Sequence, residues 1–173
     1  AVVCEASGAS LAYEAAVAGG IPVIKTLREA LAGNKINRIS GILNGTCNFI
    51  LSQMESDGVS FEAALKNAQK FGFAEAEPDL DISGMDAAQK LALLAGLAFG
   101  VQPDVSQISV TGIEAITDQD ISFADEFNSV IRLISIAGET RDGLVQCVAP
   151  MLVERTHALA QVKNELNAVA LEA

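Results

Sequence analysis

Apolar residues at positions 85, 88, 91, 92, 95 and 98 recur at helical spacing and predict a long helix. Phe99-Gly100 closes it, and Pro103 prevents its continuation. Residues 60–71 have the same period and predict an amphipathic helix ended by Gly72, with Ser60 as its cap. The box that Ser60 opens is imperfect, because Glu62 stands one residue early and Ala63 holds the third position. Residues 36–43 alternate and read as a strand. Asn44-Gly45 then turns the chain into a helix over 47–54, with Thr46 expected as its cap. Further upstream, residues 1–5 form a short apolar run that reads as a strand. Residues 7–10 are a small-residue turn, and Ser10 is placed to cap a helix through Ala18. Gly19-Gly20 ends that helix, and a second one over 23–32 is closed by Gly33-Asn34.

The last third is β-rich. Residues 105–113 alternate like a strand, and Thr117 is expected to cap a helix over 118–128. Two apolar runs, 130–137 and 144–153, flank Arg141-Asp142-Gly143, a strong hairpin signal. Residues 159–162 suggest one helical turn, and 167–171 a last strand. Neither repeats nor low-complexity linkers interrupt the chain. These elements predict an α+β fold: one domain over 1–173 with a mixed, largely antiparallel sheet and helices packed on one face.

Composition narrows the chemistry. Half of the 173 residues are hydrophobic and few are aromatic, so the core is built mainly from Ala, Val, Ile and Leu. The net charge of -11 argues against nucleic acid and against an anionic membrane surface, both of which require clustered Lys and Arg. Three scattered cysteines, Cys4, Cys47 and Cys147, and the lone His157 make no zinc pattern. They read as reduced thiols. With no signal peptide and no long apolar run in the sequence, a cytoplasmic protein is expected.

The densest candidate chemistry lies between Phe73 and Lys90. Five carboxylates fall there, Glu75, Glu77, Asp79, Asp81 and Asp86, with Lys90 the only cation. Pro78 keeps the first part irregular, and Ser83-Gly84 offers a helix start. Asp86 and Lys90 are four apart and share a helix face. Such a pair is also the pattern of an ordinary surface ion pair, and a proline-interrupted acidic segment is also that of a solvated loop. A small substrate carrying both an ammonium and a carboxylate would suit the arrangement. The turn at 7–10 could cradle phosphate, but it lacks the full G-x-G-x-x-G pattern. Cys47, near a helix start, invites comparison with a thiol nucleophile, yet no histidine stands anywhere but at 157. The Gly19-Gly20 turn beside Glu14 leaves carbonyls that could hold a hard cation, or it is a plain helix end.

Three stretches in order, Tyr13-Glu14 through Ile21-Pro22, Gly41 through Asn48, and Phe73 through Lys90, resemble homoserine dehydrogenases. The resemblance covers nearly the whole chain. It implies an oxidoreductase that interconverts L-homoserine and L-aspartate 4-semialdehyde with NAD(P), in threonine, methionine and isoleucine biosynthesis. By the same resemblance Lys90 and Asp86 are catalytic, with Lys90 the proton carrier. Glu75, Gly45, Thr46 and Asp81 bind substrate, with Glu75 on the ammonium. Glu14 and the carbonyls of Val17, Gly19 and Ile21 hold a monovalent cation such as sodium, and the protein is a homodimer. The family usually has Tyr where Phe73 stands, so Phe73 is left out of the binding set. No strand, glycine-rich turn and helix of the dinucleotide-binding kind is present. The chain therefore reads as the catalytic and dimerising domain of a longer enzyme, inactive alone, with no cofactor-binding residue of its own. The competing reading is a non-catalytic module that dimerises or binds an amino acid.

Overall fold

The computed structural model describes the backbone of residues 2–173 and, apart from Cys4, the side chains from residue 6 onward. Five strands form one sheet in the order β2-β4-β3-β1-β5. They are β1 (Arg38–Ile42), β2 (Ser109–Val110), β3 (Ser129–Thr140), β4 (Gly143–Glu154) and β5 (Ala168–Glu172). Every pairing is antiparallel except β2 with β4. The α+β expectation is borne out.

The β3–β4 hairpin is the spine of the sheet. Its register runs from Ser129 opposite Glu154 to Thr140 opposite Gly143, so the turn is Arg141-Asp142. Gly143 is the first residue of β4 and takes φ 122, a value few L-residues adopt. Pro150 is tolerated within β4 for a geometric reason. Thr111 N–H donates to the Val148 carbonyl, which puts the backbone groups of even-numbered β4 residues on the β2 side. The short β2 pairs only with Cys147 and Val148, so the missing N–H of Pro150 costs no ladder bond.

Seven α-helices accompany the sheet among the described residues: α1 (Val2–Ser7), α2 (Val23–Lys25), α3 (Gly45–Asp57), α4 (Phe61–Phe71), α5 (Asp79–Ile82), α6 (Met85–Phe99) and α7 (Asp118–Glu126). A π-helical turn, Thr26–Ala30, continues α2, and 3-10 turns cover Val105–Gln107 and Ala158–Gln161. The helices bury their apolar stripes on one sheet face. Ile39, Ile131, Leu133, Ala137 and Val148 meet Ile50 and Leu51 of α3 and Leu91, Leu94 and Ala95 of α6 in the main core. The opposite face holds a smaller cluster, Ile42, Val130, Ile134 and Val153, packed with Leu159 and Ala160 of the second 3-10 turn. No described helix is long and apolar enough to cross a membrane.

Several boundaries differ from expectation. Residues 2–5, read as strand, belong to α1, while Ala1 lies outside the described residues. A five-residue apolar run does not separate helix from strand, and among the described residues no strand pairs with this one. The helix expected from Ser10 to Ala18 is absent. Residues 14–20 make turns with Ala18 and Gly19 at φ 57 and 56. Residues 105–113 supply a 3-10 turn and a two-residue strand rather than one long strand, because the ladder with β4 covers only Ser109 and Val110. The loop after Phe73 is irregular only as far as Pro78, where the one-turn α5 begins.

Candidate active site

The site is built where β1 ends and α3 begins, against α5 and the first turn of α6. β1 runs between β3 and β5 and delivers Asn44 at the helix start. Asn44, not Thr46, is the N-cap: its Oδ1 accepts from Cys47 N–H at 2.8 Å. The Thr46 hydroxyl instead donates to the Phe73 carbonyl at 2.6 Å and ties the loop before α5 to α3. Gly45 is required by packing. A Cβ there would lie 2.5 Å from the Glu165 carbonyl, which belongs to the segment before β5. That segment is itself pinned, since Asn48 Nδ2 donates to the carbonyls of Val162 and Leu166, and Asn164 N–H to Ser52.

Asn44 is 3% exposed, and its side chain is the hub. Its Nδ2 donates to Asp81 Oδ1 and to Asp86 Oδ2, each at 2.7 Å. Lys90 Nζ lies 2.6 Å from that same Asp86 Oδ2 and donates to the Leu43 carbonyl at 3.2 Å. The Asp86–Lys90 pair is only 20% and 25% exposed, and a carbonyl from another element holds it. This separates it from the flexible surface pairs that contribute little. Among the described residues, two bonds occupy two of the three ammonium donors and leave one for an incoming oxygen atom.

Cys47 sits beneath this cluster, buried, with its Sγ donating to the Asp81 carbonyl at 3.1 Å. Burial pushes its thiol far above the ordinary cysteine range. The carboxylates of Asp81, Asp86 and Glu114 push the same way, and Lys90 opposes them only in part. A thiol held neutral in this way is no nucleophile. The acid–base pair is therefore the reactive chemistry that this cluster offers.

Of the residues singled out from sequence, Asp81, Asp86 and Lys90 come together, and Gly45 and Thr46 border them at the start of α3. Cys47 N–H goes to the Asn44 side chain and Asn48 N–H to the Asn44 carbonyl. Among the described residues, this leaves the amides of Gly45 and Thr46 at the positive end of the helix. Glu75 is exposed, and its carbonyl accepts from Gln69. No hydrogen bond joins its carboxylate to the cluster among the described residues. Glu14 lies elsewhere in the chain. Its carboxylate accepts from the N–H groups of Ile24 at 2.7 Å and Lys25 at 3.0 Å and so caps α2. The sequence reading missed Asn44, although it stands inside a quoted motif. An Asn before Gly at a strand-to-helix junction is an N-cap signal, but nothing local shows that its amide meets two distant carboxylates.

The family model for homoserine dehydrogenase matches residues 22–173. The chain belongs to the homoserine dehydrogenase family. It is 44% identical over 163 residues to the homoserine dehydrogenase of Bacillus subtilis, and 45% identical over 166 residues to that of Synechocystis. These alignments cover 94% of this chain and 38% of each relative. Among solved structures, the homoserine dehydrogenase of Thiobacillus denitrificans superposes with a TM-score of 0.95 at 42% identity, covering 99% of this chain and 40% of that one. A homoserine dehydrogenase from S. aureus superposes at 0.85 and 36% identity, covering 99% of this chain and 41% of that one. The chain thus spans about two-fifths of the length of the curated homoserine dehydrogenases it matches.

Proposed function

We propose that these residues form the catalytic domain of an enzyme interconverting L-homoserine and L-aspartate 4-semialdehyde. One observation carries the reading: a half-buried Lys90, held by Asp86 and the Leu43 carbonyl, keeps one ammonium donor free. In the oxidising direction the Lys90 amine takes the proton of the homoserine hydroxyl and becomes an ammonium. The resulting ammonium is stabilised by Asp86 and the Leu43 carbonyl. In reverse, Lys90 returns that proton to the oxygen of the semialdehyde. Asp86 orients Lys90, and Asp81 supports the same carboxylate pair through Asn44. The amides of Gly45 and Thr46 would receive the substrate carboxylate at the start of α3, where partial positive charge favours an anion. Glu75 lies on the loop tied to Thr46 and would pair with the substrate ammonium.

Hydride transfer in this chemistry uses NAD(P), and dinucleotides are held by a strand, glycine-rich turn and helix. The described residues contain no such unit and do not fit the coenzyme. The catalytic roles given above concern proton transfer and substrate binding alone.

The Glu14 loop is an oxygen-only donor set suited to a monovalent cation such as sodium. Val17 is buried. Among the described residues, the turn bonds use the carbonyls of Glu14, Ala18, Ile21 and Pro22, and take none from Val17 or Gly19. The carbonyls of Val17, Gly19 and Ile21 with a free lone pair of Glu14 would hold the ion and stiffen the turn. A melting temperature raised by sodium over choline chloride at equal ionic strength, and insensitive to it in Glu14→Gln, is the expected result. Equal melting in both salts would remove the site.

The sheet face opposite the helices supports homodimerisation. Ile136 and Met151 are only partly buried there, and a cavity of about 490 Å³ opens between them and the second 3-10 turn. A second copy laid on this face would cover them. Sedimentation should give a dimer that Ile136→Glu dissociates; a monomer at high micromolar concentration would count against it.

The catalytic reading is tested in a complete enzyme, for example the Bacillus subtilis relative with its matching segment replaced by these 173 residues. Lys90→Ala should lower turnover by roughly a hundred- to ten-thousand-fold with the fold intact. Glu75→Ala should raise KM more than it lowers turnover. Turnover retained above about a tenth in Lys90→Ala lies outside the general acid–base range and would end the assignment.

A further inference from the structure

We infer that Asn44 is a positioning residue for proton transfer, acting through Asp86 on Lys90; the inference rests on the catalytic reading above. Its side-chain amide spends every group it has. Oδ1 accepts from Cys47 N–H, and Nδ2 donates to two carboxylates on two other helices. An N-cap needs only the first of these bonds, and Ser or Asp would serve as well. The remaining two bonds require an amide, because a hydroxyl is too short and a carboxylate has no proton to give.

Their effect is on the charges facing Lys90. Asp86 on its own helix binds it directly, Asp81 on α5 shares the Asn44 amide with Asp86, and Glu114 in the segment after β2 acts on the neighbouring Cys47. The Leu43 carbonyl adds a negative dipole. One cation thus meets a surplus of acidic groups. Asn44 places an N–H between Asp81 and Asp86 and engages the same Asp86 oxygen that binds Lys90. Asp86 therefore shares its charge between two donors, and the amide between the two carboxylates offsets part of their repulsion. Loss of the Asn44 donor would turn the whole Asp86 charge toward Lys90. Asn44 also fixes the Asp86 oxygen in place, and through it the Lys90 nitrogen.

The test uses the full natural chain carrying these residues, or the Bacillus subtilis chimera, with Asn44→Ser, Asn44→Asp and Lys90→Ala made in parallel. Asn44→Ser keeps an N-cap and should fold. Its turnover should fall by roughly ten- to a hundred-fold, as for a misplaced catalytic group, with KM for homoserine changed far less. The acidic limb of kcat/KM against pH should move to higher pH. Asn44→Asp also keeps the cap but sets three carboxylates against each other, and should be impaired at least as strongly. Turnover and pH limb within two-fold and about 0.2 unit of the parent in Asn44→Ser, beside a dead Lys90→Ala, would overturn this role and leave the catalytic reading standing. An active Lys90→Ala would overturn both. A loss in Asn44→Ser confined to stability, with turnover per folded molecule unchanged, would reduce Asn44 to a cap and sink the inference.

Discussion

At the scale of single residues, the environment of a group decides its chemistry more than its identity does. Cys47 lies beside the reactive cluster, yet burial first, and the surrounding carboxylates second, keep its thiol protonated. Iodoacetamide at pH 8 should therefore leave Cys47 unmodified in the folded protein and label it on unfolding, as peptide mapping would show. Rapid native labelling would contradict its placement. A pH effect of definite sign follows. The folded thiol keeps its proton above the ordinary cysteine value near 9, whereas the unfolded thiol loses it. Above that pH the unfolded state binds fewer protons, so stability contributed below it is lost at up to about 1.4 kcal/mol per pH unit. Cys47→Ser, whose hydroxyl can still donate to the Asp81 carbonyl, should show a shallower loss of melting temperature between pH 9 and 10.5.

At the scale of elements, α3 shows how one packing contact reverses a local rule. Ala replaces Gly in an ordinary helix with a gain of about 1 kcal/mol. At Gly45 the added Cβ would meet the Glu165 carbonyl at 2.5 Å. The carbonyl has little room to retreat, because Asn48 and Ser52 bind its segment on both sides. Gly45→Ala should instead cost about 1–3 kcal/mol, the range for overpacking, measurable by urea denaturation. A stabilised Gly45→Ala would mean that the loop moves freely. The long helices needed no such help to be read. α4 runs from its Ser60 cap to Gly72 at φ 79, and α6 ends at Gly100 at φ 67. Thr117 and Asp120 complete a reciprocal capping box on α7.

Over the whole molecule, a buried ion network joins the elements at the far end of α3. Arg132 of β3 is fully buried and donates to Glu55 of α3 at 2.8 Å and to the carbonyls of Ile131, Val162 and Ala160. Arg155, after β4, links the other Glu55 oxygen to Asp125 of α7. Removing Glu55 would leave the Arg132 guanidinium buried without its counter-charge. Glu55→Ala should thus cost about 3–5 kcal/mol, the penalty of breaking a buried pair from one side. Arg155→Ala should cost about 1 kcal/mol or less, since that side chain is a third exposed. Chemical denaturation of the two variants gives the comparison. Equal losses would show that the network is not organised around Arg132.

What the sequence determined by itself is what short separations control. The 3.6-residue period placed α4 and α6, the Thr117 cap placed α7, the run of β-formers around Arg141-Asp142-Gly143 placed the hairpin, and a spacing of four put Asp86 beside Lys90. The local signals failed where partners were distant. Residues 2–5 had the composition of a strand and no strand to join, and residues 105–113 had the alternation of a long strand with only two residues of β4 to meet. The hydrogen bonds that join the site beyond its ion pair were decided by tertiary structure. Asn44 reaches carboxylates 37 and 42 residues away, and Lys90 a carbonyl 47 residues away. These contacts exist because β1 is inserted between β3 and β5, which sets the start of α3 against α5 and α6 on one face of the sheet. A helical period carries information over four residues; bringing groups forty residues apart within 3 Å needs the closed sheet and the buried core beneath it.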